Sequence, residues 1–267
     1  MPLSFVHASD FHLTAERGAL QHGVDTGACL ARAVPLLNAL RPTVIVAGGD
    51  LASDGSEAAY RRLQALWGPL TAPIHFLLGN HDDAAAFRRV FRPGEAADAP
   101  LTGGVTLDGV RFLLLNSAVA GQEGGRIGEE ALHWLEKDLA ENATAPTWLF
   151  LHHQPLPIRQ RWLDRIGLAD SVPFLEVVSR HPQVAGVCYG HVHQSRRWRY
   201  GRSLFLGVPA LAFQFAPVGQ EAPIITPDAP AFRRVEIRPD GPRTWLHFLD
   251  GRVREEPSLE ATPVYVR

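Results

Sequence analysis

Six short apolar runs rich in Val, Ile, Leu and Phe punctuate the chain, at residues 3–8, 43–47, 74–78, 110–115, 147–151 and 184–189. Runs of this length, flanked by Gly, Pro or Asp, read as buried strands rather than helices. Stretches with helical period lie between several of them. One covers 28–40, with Thr26 or Asp25 as N-cap. Another covers 57–67, behind Asp54-Gly55-Ser56, and a third covers 129–139, with Leu132, Leu135 and Leu139 on one face. This alternation predicts a layered α/β architecture. Beyond residue 200 the pattern changes. Residues 204–208, 232–237 and 244–249 read as strands, and no helix is expected after Val178. The Pro- and Ala-rich segment from Phe215 to Pro230 reads as a long loop. The chain is therefore expected to form a single domain, 1–267, whose last strands, from about 200 to 267, complete a sheet.

Composition narrows the function classes. The 267 residues include 46% hydrophobic and 20% charged side chains and carry a net charge of −2 with neutral histidines. Wholesale disorder is excluded, and no basic surface calls for nucleic acid or an anionic membrane as partner. No run of about 18 apolar residues is present, so no membrane-spanning helix is expected. Residues 1–7 carry neither a basic nor an apolar leader signature. The two cysteines, Cys29 and Cys188, match no metal-finger or disulfide spacing. The simplest expectation for location is the cytoplasm.

Five of the runs end in polar clusters. These are Asp10-Phe11-His12, Gly48-Gly49-Asp50, Gly79-Asn80-His81-Asp82, His152-His153 and Gly190-His191-Val192-His193. Open α/β sheets assemble sites outside the carboxyl ends of their strands, so loops distant in sequence are able to converge there. Each cluster alone is weak: Gly-Asp is an ordinary turn, and a His pair is compatible with one core and one exposed imidazole. Gly190–His193 is the most specific, because His-x-His on an extended segment puts both rings on one side. Asp, His and Asn without Cys form an oxygen and nitrogen donor set suited to Mn, Fe, Zn or Co. Seven donors, Asp10, His12, Asp50, Asn80, His152, His191 and His193, exceed the needs of one catalytic zinc and suit two metals sharing a carboxylate. Paired metals of this kind clamp both the attacking and the leaving oxygen in phosphoester displacement.

In this order the motifs resemble those of the calcineurin-like metallophosphoesterase superfamily, over essentially the whole chain. The closer resemblance is to bacterial class III cyclic nucleotide phosphodiesterases. It extends to Gly23-Val24-Asp25-Thr26, Leu115-Asn116-Ser117, the Leu-His-Trp-Leu of 132–135, Trp162-Leu163-Asp164, and Val208-Pro209-Ala210 with Gln214-Phe215. The chain departs from the family at Asn116, where Asp is usual, and at Gln154, which intervenes before Pro155. The resemblance implies a four-layer αββα sandwich of two mixed β-sheets. It implies that Asp10, His12, Asp50 and His193 hold one metal, and that Asp50, Asn80, His152 and His191 hold the other, with Asp50 bridging. His152 is favoured over His153 because the family's ligand is the first of the pair. His81 matches the family's non-ligand histidine, which steadies the phosphoryl oxygens or protonates the leaving alkoxide. The implied cofactors are two divalent or mixed-valence metal ions. The implied activity is hydrolysis of 3′,5′-cyclic nucleotides, cyclic AMP foremost, by metal-activated water attacking phosphorus. The partner is then a small-molecule phosphodiester, and a homodimer is compatible with the resemblance. Two alternatives stand beside it. One is another phosphodiester substrate, such as a 2′,3′-cyclic nucleotide, a glycerophosphodiester or a lipid-linked pyrophosphate. The other is a metal-binding scaffold without activity.

The remaining polar and aromatic residues have plainer readings. His7, His22, His75, His133, His181 and His247 are expected to be structural, although His22 falls in a loop near the site. Arg196, Arg197 and Arg199 read as a solvated strand face. Trp162 and Phe215 are able to stack on a base, but packing beneath a loop is the simpler expectation. No P-loop sequence is present.

Overall fold

The apolar runs become strands and the periodic stretches become helices. The computed structural model describes residues 3–217 and 221–257. Its first part alternates β1 (Ser4–Ala8), α1 (Thr26–Leu40), β2 (Val44–Gly48), α2 (Glu57–Trp67), β3 (Ile74–Leu77) and α3 (Ala84–Phe91). The middle adds β4 (Gly103–Leu107), β5 (Val110–Leu114), α4 (Glu129–Glu141), β6 (Thr147–Leu151), α5 (Arg161–Arg165) and α6 (Ser171–Arg180). Then come β7 (Val184–Tyr189), β8 (Arg196–Tyr200), β9 (Ser203–Gly207) and the short pair β10 (Gln214–Phe215) and β11 (Ile225–Thr226). The last are β12 (Ala231–Glu236), β13 (Arg243–Phe248) and β14 (Val253–Glu256).

These strands form two six-stranded mixed sheets, ordered β14-β13-β12-β1-β2-β3 and β4-β5-β6-β7-β9-β8. In the first, β1, β2 and β3 are parallel and β12–β14 make an antiparallel meander beside β1. In the second, β5, β6, β7 and β9 are parallel, with β4 and β8 antiparallel at the edges. Strand alternation then divides the side chains among three cores. Phe5, Val44 and Val46 meet Trp148, Phe150 and Cys188 between the sheets. Val6, Ala8, Ile45 and Ala47 face Leu30, Leu37, Leu63 and Phe87 of α1–α3. Leu149, Leu151 and Val187 face Leu135, Leu139, Phe174 and Val178 of α4 and α6. The result is the αββα sandwich. Because both faces of each sheet are covered, the central strands β1, β2 and β6 are buried at every position and mostly apolar rather than alternating.

Local chemistry sets the element ends that matter for the site. Asp25, not Thr26, caps α1: its carboxylate accepts from the Ala28 N–H at 2.9 Å. Thr26 instead donates its hydroxyl to the His12 carbonyl at 3.1 Å, tying the helix start to the loop after β1. Ser56 caps α2 and Asp83 caps α3. The expected 215–230 loop contains the β10–β11 pair. Residues 218–220 within it, and 258–267 of the expected closing strands, lie outside the described residues. The arginines of β8 are half-buried rather than freely solvated; Arg197 pairs with Glu256 at 3.3 Å and donates to the Pro257 carbonyl. Fully buried Arg233 on β12 donates to Thr244 Oγ1 at 2.6 Å, the Gly207 carbonyl at 2.9 Å and Ser195 Oγ at 3.1 Å, and pairs with Glu256. The C-terminal meander thereby grips the segment after β7. His7 is buried between the sheets against Phe150, and burial, with Arg233 nearby, lowers its imidazole to about 3.

Phe5 is the hub of the inter-sheet core, edge-on to Phe112, Trp148 and Phe150 with centroids 5.6, 5.0 and 5.4 Å away. Phe5→Ala is expected to cost about 3–5 kcal/mol of stability, read as a lower urea midpoint at unchanged slope.

Candidate metal centre

The loops that follow β1, β2, β3, β6 and β7 are stitched to one another by backbone and carboxylate hydrogen bonds. Asp10 N–H donates to the Gly49 carbonyl at 3.0 Å, and Phe11 and His12 N–H groups donate to the Asp50 carbonyl at 2.8 and 2.9 Å. His191 N–H donates to Asp10 Oδ1 at 2.9 Å, and His81 N–H to Asp50 Oδ1 at 3.0 Å. Asp10, His12, Asp50, His191 and His193 all have left-handed backbones, with φ of 57, 42, 49, 67 and 49°. For non-glycine residues this conformation costs about 1–3 kcal/mol each, and such strain gathers where function dictates geometry.

Two donor groups result. One atom each from Asp10, His12, Asp50 and His193 lie within 4.8 Å of one another. His12 Nε2 is 3.1 Å from His193 Nε2 and 3.6 Å from Asp50 Oδ2, and His193 Nε2 is 3.4 Å from Asp10 Oδ1. On the other side, His152 Nε2 lies 3.4 Å from Asp50 Oδ2 and 4.0 Å from Asp10 Oδ1. The His152 ring packs against His191 at 5.2 Å. Gly190–His193 is not extended: with φ positive at 191 and 193 it is a turn, and its two imidazoles diverge, one toward each group. Asn80 Oδ1, His152 Nε2 and His191 Nε2 are buried without a hydrogen-bond partner.

Neighbouring carbonyls orient the rings. His152 Nδ1–H donates to the Gly48 carbonyl at 2.8 Å and His193 Nδ1–H to the Phe213 carbonyl at 2.7 Å, which turns each Nε2 toward the carboxylates. His81 Nδ1–H donates to the Ser53 carbonyl at 3.1 Å. His153 is different. Its Nε2–H donates to the Glu123 carbonyl at 3.1 Å and its Nδ1 accepts from the Ser117 hydroxyl at 2.9 Å, so both nitrogens are engaged. Sequence reasoning gave no role to Asp82, which accepts from the N–H groups of Leu51, Ala52 and Gly79 and from the Tyr60 hydroxyl, all at 2.9–3.1 Å. It welds the Asp50 loop to the Asn80 loop. Its place beside Asn80-His81 was the available signal.

Electrostatics explain what the centre demands. Burial alone would raise the Asp50 carboxyl, but the adjacent His152 imidazole outweighs it and holds Asp50 well below the usual carboxylate range. Asp10 likewise is raised by burial, yet His193 brings it down to about 2. Burial disfavours charge on His152, but Asp50 pushes its imidazole up to about 9. Burial keeps His12 and His191 at about 3, hence neutral, the form that ligates metals. Two buried carboxylates therefore require compensating positive charge, from imidazolium or from cations. A metal centre fits: the donors are anionic oxygens and neutral imidazoles without thiolate, and three buried donor atoms are orphaned. The glycines permit the crowding. A Cβ on Gly79 would lie 2.1 Å from Asp50 Oδ1 and 2.7 Å from His152 Nε2.

A cavity of about 700 Å³ opens onto this centre, lined by His12, Asp50, Asn80, His81, His191 and His193. His22, expected to be structural, also lines it, edge-on to Phe213 at 4.4 Å.

Comparison with known proteins places this centre in a family. A family model described as calcineurin-like phosphoesterase matches residues 3–195. A protein of Synechococcus named a probable cyclic nucleotide phosphodiesterase is 34% identical over 252 residues, covering 94% of each chain. The 3′,5′-cyclic adenosine monophosphate phosphodiesterase CpdA of Pseudomonas aeruginosa is 32% identical over 238 residues, 88% of this chain and 86% of its own. Among solved structures, a dimetal phosphatase of Danio rerio shares the fold at a TM-score of 0.73 and 16% identity, covering 93% of this chain and 96% of its own. The chain belongs to the calcineurin-like phosphoesterase family.

Proposed function

We propose that the protein is a two-metal phosphodiesterase that hydrolyses 3′,5′-cyclic nucleotides, cyclic AMP foremost. The observation that carries this reading is the position of Asp50, buried between the two donor groups, 3.6 Å from His12 Nε2 and 3.4 Å from His152 Nε2. A carboxylate so placed is able to serve two cations at once. The names of the relatives support the substrate class. Asp10, His12, Asp50 and His193 would hold one metal, and Asp50, Asn80, His152 and His191 the other. The donor chemistry suits Mn, Fe, Zn or Co. Metals bound here would supply Lewis-acid polarisation of the phosphoryl group and acidify a water at neutral pH.

The chain's own side chains do the rest. His81 is exposed to the cavity, and its Nδ1–H is committed to the Ser53 carbonyl. Its Nε2 is left to hold a proton for the leaving alkoxide or to donate to a phosphoryl oxygen. His153 packs its ring against those of His152 and His191 at 5.0 and 4.7 Å, and with both nitrogens engaged it has none left for proton transfer. Asp82 positions the Asp50 and Asn80 loops. The strained backbones hold the donors in place before substrate arrives, so little reorganisation remains for the reaction. The single-domain reading of 1–267 is part of this proposal and is supported by β1 and β12, far apart in the chain, pairing in one sheet. No described helix is long and apolar enough to cross a membrane. Two free, buried thiols, Cys29 and Cys188, suit a reducing cytoplasm.

Stripping the protein with a chelator should abolish turnover, and Mn²⁺ should restore it; a metal-replete sample that hydrolyses no diester would leave a scaffold. Across 3′,5′-cyclic AMP, 2′,3′-cyclic AMP, a glycerophosphodiester and bis(p-nitrophenyl) phosphate, kcat/KM is expected to be highest for the first. A clear preference for another member would replace the substrate assignment. Asp50→Ala should lose both metals, measured by elemental analysis, and nearly all activity. His81→Ala should keep the metals and slow kcat by about 10²–10⁴. Gly79→Ala, which crowds Asp50 and His152, should weaken metal binding by about 10–100-fold in a competition titration.

A further inference from the structure

The cavity lining contains two chemically different groups of side chains. The metal-binding side chains form one. The other is an apolar wall from two segments that supply no donor: Trp162 and Ile166 of the α5 region, and Phe215 and Ile225 of the β10–β11 pair. Within this wall the rings are unequally committed. Phe215 lies flat on the His193 imidazole, with centroids 4.2 Å apart and planes at 20°. Trp162 meets Phe215 edge-on, at 5.0 Å and 87°. The indole is half-buried, unlike Trp148, which fills the inter-sheet core completely. Glu221 ties the two segments together through Arg161 at 2.5 Å and Arg165 at 2.8 Å. The wall borders the same cavity as the candidate metal-binding side chains.

We propose that Trp162 is the platform on which the base of a nucleotide substrate stacks. This rests on the cyclic-nucleotide reading above and deepens it, because it assigns the residue that separates a nucleotide from a diester lacking a base. A cyclic nucleotide carries its charge at the phosphate and its flat apolar area at the base. The cavity presents cation-seeking donors with an aromatic wall beside them. Phe215 is spent on His193, which leaves the indole as the large aromatic surface of the wall. Its Nε1–H is buried without a protein partner, so no hydrogen bond locks the ring elsewhere.

The test compares ligands with and without a base on the full-length, Mn²⁺-loaded protein. Wild-type inhibition by AMP is expected to be about tenfold or more tighter than by ribose 5-phosphate, the scale of one base–aromatic stack. In Trp162→Ala that advantage should collapse to about twofold or less. The ratio of kcat/KM for 3′,5′-cyclic AMP to that for methyl p-nitrophenyl phosphate should fall by about tenfold in the same variant, through KM rather than kcat. Using a ratio cancels any general loss of folded enzyme. Trp162→Phe retains a flat ring and should keep the ratio within about threefold of wild type. Equal inhibition of wild type by AMP and ribose 5-phosphate overturns the platform, with no variant required. An unchanged ratio in Trp162→Ala, or Trp162→Phe behaving like Trp162→Ala, overturns it as well. A wild type that hydrolyses methyl p-nitrophenyl phosphate but no cyclic nucleotide overturns the functional reading itself, and the platform with it. Cyclic AMP hydrolysis that is blind to the base overturns the platform alone.

Discussion

Two carboxylates buried at the ends of parallel strands set the terms for the rest of the molecule. Asp10 and Asp50 are 0% and 2% exposed, so neither can rely on water to support its charge. In such surroundings an unpaired charge is prohibitive, and it must be met by hydrogen bonds and by opposite charge. Backbone N–H groups of His191 and His81 meet the oxygens from one side and imidazoles from the other. The crowding of anions and ring nitrogens is unfavourable by itself and becomes coherent when cations complete it. The same requirement accounts for the left-handed residues. Seven candidate donors converge from five strand ends, and the five on the loops after β1, β2 and β7 do so with left-handed backbones, so strain is accepted where the donors meet.

Strain of this kind persists only if the surroundings over-determine it. The inter-sheet core supplies stiffness: Phe5, Phe112, Trp148 and Phe150 interlock beneath the strand ends. Specific bonds supply aim. Thr26 holds the His12 carbonyl, Asp82 binds three backbone N–H groups of two loops, and Ser117 accepts from the N–H groups of both His152 and His153. The most distant support comes from the C-terminal meander. The family match ends at residue 195, and Ser195 is where buried Arg233 and Glu256 take hold, at 3.1 and 2.7 Å. Strands beyond the matched region therefore brace the turn that carries His191 and His193.

Much of this was legible in the sequence, for identifiable reasons. Strands covered on both faces are continuous apolar runs, so β1, β2, β3, β5, β6 and β7 were visible as such. Helices α1, α2 and α4 showed a helical period, and the first a candidate capping residue. Where pairing overrides propensity the signal disappears: β4 opens with Gly103-Gly104 and exists because β5 offers it a ladder. Helix α3 is short and interrupted by Arg88 and Arg89, which left its cap, Asp83, unnoticed. The donors were readable because Asp, His and Asn are rare together at strand ends. Their supports were not, since the Gly48, Ser53 and Phe213 carbonyls carry no residue identity. The His-x-His motif was read as extended, and the turn that replaces it is what allows one motif to serve two donor groups.

The segment 213–215 joins the candidate metal centre to the cavity wall. The Phe213 carbonyl fixes the Nδ1–H of His193, and the Phe215 ring covers the same imidazole. Gln214 between them is held by both of its amide atoms to the backbone of Ala210. Phe215 also carries the edge contact to Trp162. One ring therefore touches both the wall and a candidate donor imidazole. The ring that packs within the cavity wall is at the same time a constraint on an imidazole of the candidate metal centre. That coupling gives a physical reason for a hydrophobic wall to be built from the chain that leaves the donor turn, rather than from an unrelated loop.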